Sequence, residues 1–137
     1  MKCFQCENET FERQIEEIVT EVGSCSVVDR RHQFEVCTEC GSFTIDFEVG
    51  RDIELHAARV ALLDCRVFTG EVLRFARKAL GLTQRELGEQ LGRAAETISR
   101  DEKRAELDSE LRFAMLGLVA AALNPHGVQG VELRRAG

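Results

Sequence analysis

The sequence predicts an α+β fold, in which a small β-rich module precedes an all-α domain. Cysteines form two CxxC pairs within the first forty residues, and apolar residues alternate around them as they do in strands. After residue 69 the apolar residues recur at the spacing of three or four that is typical of helices. These observations divide the chain into a cysteine module, a helical connector, a helical domain and a tail, at residues 1–49, 50–68, 69–124 and 125–137.

The composition predicts a soluble globular protein, with 44% apolar and 31% charged residues among 137. The longest apolar run, 113–123, is about half as long as the roughly 20 residues that cross a bilayer, so we expect no membrane partner. No apolar stretch follows Met1-Lys2-Cys3, which predicts the absence of a secretory signal and a reducing, cytoplasmic location. In that compartment the six cysteines are expected to bind metal rather than to form disulfides.

Charge is distributed unevenly along the chain, whose net charge is −6. Residues 1–50 carry four basic and eleven acidic side chains, whereas residues 51–137 carry fourteen basic and thirteen acidic ones. The overall acidity therefore belongs to the first module and does not exclude phosphate binding by the second half.

The two CxxC pairs predict one structural metal site. Two thiolates separated by two residues can bend round one ion, and a second pair completes the tetrahedral set that Zn²⁺ favours. Four protein ligands leave no position for a reactive water, and no acid–base pair stands out elsewhere, so we do not expect an enzyme. An iron site of the rubredoxin type and a pair of redox thiols are the alternatives. The expected ligands are Cys3, Cys6, Cys37 and Cys40.

The segment between the pairs is ambiguous. Apolar residues in 9–22 recur at helical spacing, yet a two-knuckle zinc ribbon generally carries strands there, so both interpretations stay open. Alternation predicts strands near residues 25–28, 33–37 and 43–48.

The remaining cysteines and histidines have no partner at a recognisable spacing. Cys25 and Cys65 stand outside any CxxC pair and are expected to be small buried apolar residues rather than ligands. His32, His56 and His126 receive no role.

An amphipathic connector follows the cysteine module. Asp52 is placed to cap a helix that ends before Thr69-Gly70. It could be an independent hinge or one more core helix of the second domain.

Capping residues mark the next two helices. A helix over 70–80 is expected to end at Gly81, where a left-handed residue suits a helix C-terminus. A second helix over 83–91 begins with a capping box formed by Thr83 and Glu86, and Leu82 and Leu87 flank it as a hydrophobic staple.

A third short helix completes a helix-turn-helix pattern. Gly92 breaks the second helix, and the third is predicted over 95–104 with Ile98 pointing inward. The segment 105–123 is apolar on more than one face, which predicts a helix that forms a homodimer and ends at Asn124-Pro125.

The run VLRFARKALGLTQRELGEQLGRAAETISRDE, residues 72–102, resembles the Cro/repressor-like (Xre) helix-turn-helix family. Together with the cysteine pairs, it makes the chain similar to the zinc-finger plus helix-turn-helix proteins that include the MqsA-like antitoxins. The most specific parts are GLTQREL at 81–87, the LG turn at 91–92 and SRDE at 99–102.

The resemblance implies roles for individual residues. The glutamine that matches Gln84 holds a DNA phosphate, and the pair that matches Arg77 and Glu102 forms an internal salt bridge. The residues facing the bases match Ala95, Glu96 and Arg100, of which Arg100 is expected to contact guanine. Further phosphate ligands are expected at Arg93, Lys103 and Arg104.

The chain departs from the family pattern at three positions of the third helix. Ala94 stands where the family has Ser or Thr, which removes a side-chain cap at a cost of about 1 kcal/mol. Glu96 replaces a neutral polar residue and could accept a hydrogen bond from a cytosine amino group. Asp101 replaces the usual aromatic residue.

These features predict a sequence-specific DNA-binding transcriptional regulator, a repressor, with a structural zinc ion. The alternative is an antitoxin whose acidic first module neutralises a partner toxin and which autoregulates its operon. A helix-turn-helix used only for protein contacts is the third possibility.

Overall fold

The computed structural model describes residues 1–123 and 130–134. Small antiparallel sheets precede five helices within these residues, which confirms the predicted α+β fold. The elements are β1 Phe11–Ile15, β2 Ile18–Val22, β3 Cys25–Asp29, β4 Gln33–Cys37, α1 Phe47–Asp64, α2 Gly70–Ala79, α3 Gln84–Leu91, α4 Ala95–Asp101, α5 Ser109–Ala122 and β5 Val131–Leu133.

The strands form two sheets. β1 pairs with β4, from Phe11 opposite Cys37 to Ile15 opposite Gln33, and the other sheet has the order β2-β3-β5. The segment 9–22 therefore contains two strands. The apolar residues of 9–22 recur at helical spacing because the two five-residue strands are separated by only two residues. The alternating pattern of β2 is therefore out of step with that of β1.

The expected strand over 43–48 is wrong, because α1 begins at Phe47. The Asp46 carboxylate accepts a hydrogen bond from the Val49 N–H at 2.9 Å, which caps the helix and ends the alternating segment. The predicted cap, Asp52, instead lies inside α1, where it binds basic side chains from the loop before β4.

The connector is a core helix. α1 buries one face against α2, α5 and the sheet of β2, β3 and β5. The same core takes up Val22 and Val27 from the sheet, so this sheet packs as part of the helical body. The side chains of Phe34, Val36 and Ile53 form a smaller cluster, which attaches β4 to α1.

The predicted caps of α2 and α3 are confirmed. Gly81 and Gly92 have φ angles of +73° and +69°, the left-handed conformation that ends a helix. The Thr83 hydroxyl accepts from the Glu86 N–H, and the Glu86 carboxylate accepts from the Thr83 N–H.

Two helix boundaries differ from the predicted ones. α4 ends at Asp101 rather than at 104, and residues 105–108 are outside α5, which begins at Ser109. Asp108 caps α5 by accepting from the Leu111 N–H at 2.8 Å. The predicted end of this helix at Asn124-Pro125 lies outside the described residues.

Cys25 and Cys65 lie outside the metal cluster, as expected, but a disulfide joins them, so the expectation that the cysteines do not form disulfides is wrong for this pair. Forty positions separate them in sequence, but β3 begins where α1 ends, and their Cα atoms lie 6.5 Å apart. The tail also contributes structure, since β5 pairs with β3 from Val131 opposite Asp29 to Leu133 opposite Val27.

Crossing a bilayer would need a longer, more continuously apolar helix than any found in residues 1–123 and 130–134.

Candidate metal centre and nucleic-acid interface

The four predicted cysteine ligands come together in one cluster. All four sulfurs lie within 4.8 Å of one another, and the pairs Cys3–Cys40 and Cys6–Cys37 are each separated by 3.5 Å. Tetrahedral coordination with Zn–S bonds of about 2.3 Å places sulfurs roughly 3.8 Å apart, close to this arrangement. The donor set therefore fits a zinc-like ion.

Backbone turns hold each cysteine pair in place. The Glu7 N–H donates to the Cys3 carbonyl at 2.9 Å, and the Gly41 N–H donates to the Cys37 carbonyl at 3.0 Å. Gly41 has a φ angle of +75°, a left-handed conformation that this turn requires and that glycine adopts without strain. The Asn8 amide lies 3.5 Å from the Cys37 sulfur and supports it from outside the CxxC motifs.

Hydrogen bonds already favour the thiolate form at two of the ligands. The backbone N–H of Cys40 is the main cause that lowers the pKa of Cys37 to about 6. The Ser42 side chain lowers the pKa of Cys40. At Cys6 a backbone hydrogen bond from Asn8 lowers the pKa, but burial and contacts with the other thiols raise it to about 12. A bound dication would displace the remaining proton, because metal ligation requires the thiolate.

α3 and α4 pack as a helix-turn-helix around Gly92. Leu87 and Ile98 are fully buried between them and the rest of the helical core. Gly88 permits this approach, because a Cβ atom there would lie 2.3 Å from the Arg93 carbonyl oxygen. α4 has no side-chain hydrogen bond at its N-cap, Ala94, as expected.

The ion pair expected from the resemblance is present. Arg77 contacts Glu102 through two guanidinium nitrogens, at 2.6 and 3.2 Å, and also donates to the Leu82 carbonyl. Gln84, the expected phosphate ligand, donates to the same Glu102 carboxylate at 3.0 Å. Glu102 therefore connects α2, α3 and the end of α4.

Asp101 is buried and engages two of the expected phosphate ligands. One carboxylate oxygen lies 3.3 Å from Arg93, and the other lies 3.8 Å from Arg104. Asp101 thus forms a polar link on the inner side of α4.

The other expected DNA contacts are accessible. Glu96, Arg100 and Lys103 are exposed, and Ala95 is half-buried at the start of α4. Ion pairs among the described residues involve neither Arg100 nor Lys103. An open cleft of about 510 Å³ runs along this surface, lined by Thr97, Arg100, Asp101, Lys103 and Arg104.

A half-buried polar cluster joins α1 to the loop before β4. Asp52 lies 2.8 Å from Arg31, 3.1 Å from His32 and 3.5 Å from His56. Arg31 also contacts the buried Asp29 at 2.7 Å. The sequence indicates no role for these histidines. Their common partner is Asp52, which lies twenty residues after His32 and one helical turn before His56, and neither spacing forms a known motif.

Comparison with known proteins adds no relative. No protein-family model matches the chain, and no curated protein matches it. The resemblance to the Xre and MqsA-like proteins therefore stays a prediction from the motif residues.

Proposed function

We propose that this protein is a sequence-specific DNA-binding transcriptional regulator, a repressor, in which α4 is the recognition helix. The observation that carries the proposal is Arg100, an exposed side chain on α4 that is outside the ion pairs of the described residues. The surrounding acidic residues Asp101 and Glu102 are turned inward and engaged, so they do not oppose DNA at this surface.

α4 supports direct readout of bases in the major groove. Arg100 would donate two hydrogen bonds to guanine, and Glu96 would accept from a cytosine amino group. Ala95 would make an apolar contact with a base edge. Lys103 and Arg104 follow the helix directly, where their charges would hold the phosphate backbone. Gln84 would add a further phosphate contact, whereas Arg93 is engaged by Asp101 at 3.3 Å.

A homodimer suits this mode of binding, because helix-turn-helix proteins commonly contact two half-sites. α5 offers the surface: Phe113 is 70% exposed, and Ala114, Gly117 and Ala121 are exposed beside it. A second copy of the chain is the occupant we propose for this apolar face.

Zinc would have a structural role in the regulator. When bound, Zn²⁺ would be held by Cys3, Cys6, Cys37 and Cys40, and it would fix the N-terminus to the end of β4. Elemental analysis should find one zinc per chain in the wild-type protein. The Cys37→Ser variant lacks one of the four ligands and should contain no zinc. Replacement of Cys25 and Cys65 together by serine is the control, because it removes two sulfurs outside the cluster, leaves no new free thiol and should keep the metal. Iron in place of zinc would contradict the assignment.

Selection from randomised duplexes tests the regulator proposal. Arg100→Ala should weaken binding to the selected site by about 1 to 3 kcal/mol and relax the preference at one base pair per half-site. Arg51→Ala is the control. Arg51 is also an exposed arginine, but it lies on α1, outside the helix-turn-helix of α3 and α4. If the wild-type protein selects no motif, or if Arg100→Ala selects the same motif with equal affinity, the proposal is wrong.

An antitoxin is the second candidate, favoured by the exposed acidic side chains of the first module. Glu12, Glu17, Glu21 and Glu35 are exposed on or beside the strands. Such a surface suits a basic protein partner. Co-expression with the product of a neighbouring toxin-sized reading frame should give a stable complex, which exchange of Glu12, Glu17 and Glu21 for glutamine should weaken. Growth arrest that co-expression does not relieve would contradict this candidate.

A further inference from the structure

Asp101 joins the two ends of the recognition helix through one buried carboxylate. Arg93 precedes α4 and Arg104 follows it, yet both guanidinium groups approach Asp101. The Asp101 side chain is 8% exposed, whereas those of Arg93 and Arg104 are 32% and 66% exposed. The Asp101 carboxylate thus contacts both of these cations.

The two arginines are held unequally. Arg93 donates a hydrogen bond to the buried Asp101 carboxylate at 3.3 Å. A hydrogen bond between two charged groups is stronger than one between neutral groups. The Arg104 contact at 3.8 Å involves a largely solvated side chain and contributes little. Competition for Arg93 is therefore the main effect of Asp101.

We propose that Asp101 is an internal competitor of DNA phosphate, which holds Arg93 and so limits the number of phosphates that the protein neutralises. The inference rests on the proposed function and deepens it. Because phosphate contacts are independent of sequence, Asp101 limits the electrostatic part of binding and leaves readout to Arg100.

Salt titrations measure this competition. The slope of log K against log salt changes by about 0.9 for each phosphate neutralised. Asp101→Asn keeps the shape of the side chain but removes its charge and so weakens its hold on Arg93, and the slope should therefore steepen by up to about one unit. Affinity should then fall roughly 3.5-fold more between 50 and 200 mM salt than in the wild-type protein.

Glu89→Gln is the matched control. Glu89 is an exposed acid on α3 that pairs with Arg85 at 3.4 Å, so this variant removes one negative charge from the same motif without touching Arg93. Its slope should remain near that of the wild-type protein. A steepening equal to that of Asp101→Asn would overturn the inference, because the effect would then reflect net charge.

Arg93→Ala keeps the test decisive if Asp101→Asn fails to fold. In the wild-type background this variant should leave the slope almost unchanged, because Asp101 already occupies the guanidinium group. Flattening by a full unit would show that Arg93 binds phosphate freely and would overturn the inference. In the Asp101→Asn background, Arg93→Ala should reverse the steepening. The salt slope is measured on two probes, the selected duplex and a random 20-bp duplex. Failure to select a motif would contradict the proposed function, whereas the competition for Arg93 is tested by the slope on the random duplex.

Discussion

Gly70→Ala is expected to destabilise the protein because α2 begins directly against the backbone of α4. A Cβ atom at Gly70 would lie 2.4 Å from both the carbonyl carbon and the carbonyl oxygen of Glu102, and 2.5 Å from the Asp101 oxygen. These neighbours are main-chain atoms, so no side-chain rotation can relieve the overlap. The start of α2 and the end of α4 would have to separate by roughly 1 Å to restore normal contact distances.

The expected cost combines overpacking with a weakened hydrogen bond. Inserting a methyl group into a packed site costs about 1 to 3 kcal/mol. The Gly70 N–H donates to the Arg104 carbonyl at 2.9 Å, and stretching that bond adds about 1 kcal/mol. The free energy of unfolding should fall by about 2 to 4 kcal/mol, which corresponds to a melting temperature roughly 8 to 15 °C lower.

Gly50→Ala is the control for this prediction. Gly50 lies inside α1, and a Cβ atom there meets its nearest neighbour at an ordinary 3.7 Å. Alanine should therefore stabilise α1 by up to about 1 kcal/mol. Chemical unfolding of both variants checks the pair, and a Gly70→Ala protein as stable as Gly50→Ala would refute the close packing of α2 on α4. Under the proposed function, residual folded Gly70→Ala protein should also bind the selected duplex more weakly, because α4 carries Arg100.

Four further predictions follow from the fold. Replacing Cys25 and Cys65 together by serine should lower the free energy of unfolding by up to about 4 kcal/mol, since the bridge joins positions 40 apart. The prediction is wrong if a reductant leaves the unfolding midpoint of the wild-type protein unchanged. Burial lowers the pKa of His56 below 6.5, so the unfolded chain binds a proton at this imidazole more readily than the folded protein. The melting temperature should therefore fall as the pH drops below about 6.5, and it should fall less in His56→Gln. Phe113→Ser should convert a dimer to a monomer in sedimentation, and a wild-type monomer at tens of micromolar would refute the α5 interface. A chelator should loosen the cysteine turns but keep the helical circular dichroism, because β2 and β3 pack into the helical core; loss of the helical signal would contradict this packing.

Local signals in the sequence predicted the features that depend on neighbouring residues. The capping box of Thr83 and Glu86 closes over three positions, and Gly81 and Gly92 act through their own backbone angles. The cysteine cluster was predictable for a similar reason, because each CxxC pair is a local turn and four-fold coordination requires the second pair. Asp46 also carries a local capping signal, but the alternation of Phe43, Ile45 and Phe47 obscured it.

Contacts between distant segments could not be predicted in the same way. β5 pairs with a strand about a hundred residues earlier, and its three residues carry no pattern that identifies the partner. The Cys25–Cys65 bridge depends on the end of α1 lying beside the start of β3, which spacing alone does not encode. The expectation of reduced cysteines rested on compartment and not on geometry, so it could not detect this proximity.

The end of α4 explains how an acidic sequence can present a basic surface. The SRDE stretch places Arg100 outward, while Asp101 and Glu102 point inward and are less than 9% exposed. Glu102 binds Arg77, Asp101 binds Arg93, and the backbone of both residues packs on Gly70. The acidic side chains thus fix the helix from behind, and their charge is compensated within the fold. Net charge therefore does not describe this surface: the acids at positions 101 and 102 hold α4 in place from behind, while Arg100, Lys103 and Arg104 remain exposed.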